Sequence, residues 1–252
     1  MDRMEFSSPC KEVLRIYLAQ EKSKTGDQRL LNLRSEVTRQ LRTPYSLRKL
    51  DAFLDLSLSL AKERRQHQQF LLDAFLGFIH HLLFGGLWQD DPPGQFMPLD
   101  GALIAKESDA RKKIMHQTAL KLLPFAQELY HIQLARDSYG NQRKAHAIKI
   151  LGKIWDYYDT KEGMELCLDA LKSKSEDLVI DTATTLEEYY SNRKLPLSEE
   201  VLKLLENQVK KSKHIYLVMA CLRAMTSTGY ITKGKSADLL GDWKERNDYP
   251  VF

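Results

Sequence analysis

Two short stretches of this chain hold the residue types that recognition chemistry needs. Trp155-Asp156-Tyr157-Tyr158 and Glu187-Glu188-Tyr189-Tyr190 each set aromatic rings beside carboxylates. Lys149 and Lys153 lie one helical turn apart, Arg143-Lys144 stand just before them, and Arg111-Lys112-Lys113 lie further upstream. Cations neutralise phosphates and rings stack on bases, so this set could build a nucleic-acid surface. Arg143, Lys149, Lys153, Trp155, Asp156 and Tyr189 are therefore the candidate partner-binding residues. The plainer reading makes Trp155 a core anchor and the lysines a solvated face. Neighbouring positions on a helix point about 100° apart, so Trp155 and Asp156 face different ways.

No stronger constellation is present. The glycines are scattered, without the G-x-G-x-x-G or G-x-x-x-x-G-K-[ST] patterns that cradle phosphates. His80-His81 diverge on a helix and cannot easily share a metal. His146 and His214 sit near helix starts, where packing or exposure explains them. Glu187-Glu188 and Glu199-Glu200 suit solvated faces and first turns, and nothing aligns them as an acid and base around one substrate. No catalytic residue, metal or cofactor is assigned.

The elements that must position these residues are helices. Only 12 Gly and 8 Pro punctuate 252 residues, too few for the many turns of a β-rich fold, and no stretch alternates with period two. Ala147, Leu151 and Ile154 follow steps of four and three, one face of a helix. Thirty-five residues on, Thr182, Leu186 and Tyr189 repeat those steps, and thirty-six further Val218, Leu222 and Met225 repeat them again. A face recurring every 20–50 residues marks stacked helix pairs.

The spacing predicts helices over Gln142–Tyr158 and Lys161–Lys172, then Ser175–Ser191 and Ser198–Lys211, then His214–Ser227 and Ser236–Glu245. Thr160, Ser175 and Ser198 are the expected caps. Upstream, Lys11–Glu21, Leu30–Leu41 and Ser46–Gln66 read as amphipathic helices, the last with a stripe of Leu47, Leu50, Phe53, Leu54, Leu58 and Leu60. Ser108–Asp137 reads as a long helix broken or kinked at Pro124. Asp90-Asp91-Pro92-Pro93-Gly94 makes Gln89–Gly101 the clearest loop. The expected division is an N-terminal helical region (1–90), a Pro/Gly loop (91–101) and helical repeats (102–252).

Ala147-Ile148-Lys149-Ile150-Leu151-Gly152-Lys153-Ile154 resembles the Ala-rich second-half motif of HEAT repeats, in which small residues and a Leu-Gly step bring adjacent helices close. Thr182-Ala183-Thr184-Thr185-Leu186 keeps the small residues and the leucine, and Val218-Met219-Ala220-Cys221-Leu222 keeps the spacing and Ala220. The resemblance covers roughly residues 110–247. It implies an all-α fold: a right-handed α-α superhelix of HEAT-like helix pairs with a divergent N-terminal helical part. It also implies a non-catalytic scaffold whose concave groove receives a protein or peptide. HEAT-like DNA glycosylases for alkylated bases use tryptophans and an aspartate on that surface. Trp155 and Asp156 are the matching types, so a nucleic-acid-binding protein is the alternative.

Charge and location complete the reading. Residues 21–66 hold eleven basic and six acidic side chains, residues 67–110 one and six, and residues 111–150 eight and two. Two basic blocks flank an acidic one, which admits an electrostatic partner. Cys10, Cys167 and Cys221 form no CxxC pair and fit a reducing compartment. No basic-then-apolar leader opens the sequence, so a cytoplasmic location without membrane insertion is expected. The apolar stretch at 70–88 is interrupted by Asp73, His80 and His81, and reads as a buried helix or an assembly contact.

Overall fold

The computed structural model describes residues 50–51, 54–55, 57–58, 61–62, 109–134, 139–158 and 160–247. Their regular structure is helical, and no strand occurs among the described residues. The fold is all-α. The chain divides into two compact units, Met1–Gly140 and Asn141–Phe252. The helices expected at Lys11–Glu21 and Leu30–Leu41, the loop Gln89–Gly101 and the apolar stretch at 70–88 lie outside the described residues.

In the first unit, helix α1 spans Asp109–His131. It runs through Pro124, where a break or kink was expected. Proline frees the carbonyl four residues back, here that of Leu120, and both Leu120 and Pro124 are exposed, so water can satisfy that group. Ala119, Leu122, Leu123, Phe125, Ala126 and Leu129 supply the buried face. Against it lie Leu50, Leu54, Ser57 and Ala61, all buried at steps of four, three and four. Of the stripe expected from sequence, Leu50 and Leu54 are buried and Leu58 is half-buried, Ser57 and Ala61 join the inner face, and Leu47, Phe53 and Leu60 lie outside the described residues. Ion pairs flank it: Lys121 Nζ to Asp51 at 2.8 Å and Lys62 Nζ to Glu128 at 2.8 Å.

The second unit holds α2 (Gly140–Tyr157), α3 (Met164–Ala170), α4 (Glu176–Asn192), α5 (Glu199–Lys211), α6 (Ile215–Ser227) and α7 (Lys233–Arg246). Local chemistry explains their ends. Ser198 Oγ accepts the Val201 N–H at 3.3 Å and Glu199-Glu200 fill the first turn of α5, while Lys210-Lys211 fill its last. Thr232 Oγ1 accepts the Lys235 N–H at 3.1 Å, so α7 begins before the expected Ser236. Ser175 precedes α4 as expected, but its hydroxyl accepts no capping bond. Thr160 accepts the Glu162 N–H at 3.0 Å without starting α3. The chain first turns through Gly163, at φ +85°, where an added Cβ would stand 2.8 Å from Leu151 Cδ2. Only glycine turns left-handed that close to α2.

Helices α4 and α6 end alike. Leu195 N–H reaches Tyr190 O at 2.9 Å around left-handed Lys194 (φ 53°), and Tyr230 N–H reaches Met225 O at 2.9 Å around Gly229 (φ 76°). Both are Schellman closures. Thirty-five residues separate Lys194 from Gly229, the interval seen in the apolar triplets.

All nine triplet residues are buried: Ala147, Leu151, Ile154, Thr182, Leu186, Tyr189, Val218, Leu222 and Met225. Thr182 is tolerated there because its hydroxyl donates to Leu178 O at 2.6 Å. Helix α4 packs between α2 and α6, and α3 packs against α4 and α5. The α2–α4 approach is close at Gly152, where an added Cβ would lie 2.6 Å from Thr185 Cγ2.

Candidate partner-binding surface

The six residues singled out from sequence do not share one exposed face. Arg143 and Trp155 are each 1% exposed and Tyr189 is 5% exposed. The reason is periodicity: Arg143, Ala147, Leu151 and Trp155 follow one another by four, so all fall on the inward stripe of α2. Tyr189 is itself a member of the second buried triplet. Asp156 lies in α2, and its side chain is outside the described residues.

Trp155 and Tyr189 do meet, as a structural joint between α2 and α4. Their rings stand edge to face at 4.9 Å, and Tyr190 meets Tyr189 at 5.1 Å. The Trp155 indole N–H donates to Glu162 O at 3.0 Å, tying α2 to the turn before α3. The Arg193 guanidinium lies 4.5 Å over the Tyr189 ring, and its Nη2 donates to Trp155 O. The Trp155, Tyr189 and Tyr190 rings are thus buried against one another rather than open to a stacking base.

Lys149 and Lys153 lie instead on the outer face of α2, opposite carboxylates of α4. Lys149 Nζ is 2.8 Å from Asp181 and Lys153 Nζ is 3.0 Å from Glu188. The next interval repeats the arrangement. Arg223 Nε of α6 donates to Glu187 at 2.6 Å, Arg223 Nη2 to Thr184 Oγ1 at 3.2 Å, and Ser227 Oγ to Glu187 at 2.7 Å. Three cations face three carboxylates across the row α2–α4–α6, so the row carries little net field.

Sequence reasoning missed Arg223 and Ser227 and read Glu187 as part of a solvated face. The signal was available, because Lys153 to Glu188 and Glu187 to Arg223 span 35 and 36 residues, the spacing between the apolar triplets. Beside these rungs the outer face of α6 becomes apolar. Tyr216 is 67% exposed and Met219 47%, and Tyr230, just past the helix, is 50%.

Among the described residues no His, Cys, Asp or Glu group is placed to hold a metal ion, and no helix is long and apolar enough to cross a membrane. His146 is half-buried in α2, and His214 stands at the N-cap of α6. Comparison with protein-family models, curated proteins and solved structures finds no match.

Proposed function

We propose that this protein is a non-catalytic scaffold in which α2/α3, α4/α5 and α6/α7 are HEAT-like pairs of a right-handed α-α superhelix, binding a protein or peptide partner. The observation that carries this reading is the burial of the nine triplet residues on three helices joined through α4. A pair cannot bury its apolar face alone, so stacking yields a continuous core and one long outer surface. The partner docks along the α2–α4–α6 row, with Tyr216, Met219 and Tyr230 as anchors. Tyrosine and methionine are enriched where partners bury surface.

Balanced charge on this row favours a protein over a nucleic acid. A phosphate backbone gains affinity by releasing counterions to unpaired cations, and here each cation already has a carboxylate. The test is capture of a partner by the full chain, with its contacts mapped by crosslinking. Tyr216→Asp with Met219→Lys is expected to abolish capture while the circular dichroism stays helical. Tight binding of duplex DNA or RNA that Lys149→Glu with Lys153→Glu abolishes would replace this reading with the nucleic-acid one.

A further inference from the structure

We propose that the two loops entering α4 and α6 form a separate cationic surface that binds an acidic peptide segment of a partner protein. Lys172-Ser173-Lys174-Ser175 and Lys211-Ser212-Lys213-His214 are one local structure made twice. Ser173 Oγ accepts the Ser175 N–H at 3.0 Å, and Ser212 Oγ accepts the His214 N–H at 3.0 Å. Ser175 and His214 then share an extended backbone, with ψ 112° in both.

The two loops lie side by side. On one flank Gln208 Nε2 donates to Leu171 O at 2.5 Å, and on the other His214 Nε2 stands 3.7 Å from Glu176 Oε2. The Trp243 indole N–H donates to Ser212 O at 2.7 Å, which fixes the second loop from α7. Lysines therefore project from a held backbone, and less order is lost when a ligand arrives.

Charge distinguishes this edge from the balanced row. Lys172, Lys174, Lys210, Lys211 and Lys213 are all exposed. Lys172 Nζ has only a 4.0 Å approach to Glu200, and among the described residues no carboxylate pairs with the other four. Five exposed ammonium groups outnumber the three carboxylates nearest the loops, Glu176, Asp177 and Glu200, and leave a net positive edge that attracts anions. Residues 151–252 nevertheless hold seventeen acidic and fifteen basic side chains. A long polyphosphate would run off the patch onto those acids, whereas a short acidic segment covers the patch alone. Lysine ammonium groups are flexible point charges that suit scattered carboxylates, and no arginine fork is present in either loop.

The surface stands on the loop pair alone, whether or not the α2–α4–α6 row holds a partner. Its test is fluorescence anisotropy of the full chain with a labelled hexaglutamate peptide and a hexaglutamine counterpart. Hexaglutamate is expected to bind, hexaglutamine not, and added salt to weaken the complex. Lys174→Glu with Lys213→Glu is expected to weaken hexaglutamate by about tenfold or more. Lys233→Glu with Lys235→Glu, two exposed positions at the start of α7, changes net charge equally and is expected to leave it unchanged. No hexaglutamate binding at low salt, or equal losses in the two variants, overturns the proposal. So does an oligonucleotide that outcompetes hexaglutamate through Lys174 and Lys213.

Discussion

Gly152→Ala tests the close approach of α2 and α4 directly. The added Cβ would sit 2.6 Å from Thr185 Cγ2, inside van der Waals contact, while Thr185 Cβ and Oγ1 lie at 3.6 and 3.7 Å, ordinary contact distances. One methyl group thus makes the whole clash. Overpacking of this kind costs about 1–3 kcal/mol. Against it, alanine in a helix interior is favoured over glycine by about 0.8–1.0 kcal/mol. The net expectation is a loss of about 0–2 kcal/mol, the low end applying if Thr185 can rotate.

Thr185→Ser removes that methyl and reverses the sign. In the serine background Gly152→Ala keeps its helical gain and meets only contacts of ordinary length, so it should stabilise by up to about 1 kcal/mol. The coupling between the two positions is then about 1–3 kcal/mol, from a four-variant cycle. Because the chain has two units, hydrogen exchange of α2 and α4 amides reads the relevant opening energy better than one global melting curve. Additive effects, or a stabilising Gly152→Ala in the native background, would refute the contact and with it the structural role of the Leu-Gly step.

Further outcomes follow from the same structure. Lys194 holds a left-handed turn that Gly229 holds in the next interval. A side chain there costs roughly 1–2 kcal/mol and glycine's unfolded freedom returns roughly 0.5–1, so Lys194→Gly should stabilise by about 0–1.5 kcal/mol in urea unfolding. Cys167 and Cys221 are buried, and desolvation holds both thiols above their ordinary range, Cys221 from 9.0 up to about 12. A raised folded pKa means that this stabilisation is complete below pH 9 and is lost as pH climbs towards 12. Stability should therefore fall from about pH 9 upward. Iodoacetamide at pH 8, read by peptide mass spectrometry, should label neither thiol until urea unfolds the chain.

The helical class and the inward faces of the second unit are legible in residues 141–247. The three triplets fell on buried faces because apolar period depends only on backbone geometry, which every helix shares. Helix ends were less legible. Ser198 caps α5 as expected, whereas Ser175 offers its hydroxyl to nothing in α4, and Thr160 is separated from α3 by the left-handed Gly163. A capping residue signals a helix start only if the incoming chain lets its oxygen face the first N–H groups, and a neighbouring helix decides that.

The candidate surface was less legible still. Basic and aromatic residue types cluster near positions 143–158, but type does not say which way a side chain faces across a row of helices. Trp155 and Tyr189 turned inward to join α2 to α4, and Lys149 and Lys153 met Asp181 and Glu188 at 2.8 and 3.0 Å. Composition and period by themselves determined the helical class, the inward stripes and the interval between them, because these are properties of one helix at a time. Only the tertiary structure decided which charges cancel and which stay open to solvent. Coulomb attraction falls off over a few ångströms of water, and those few ångströms are set by how separate helices pack.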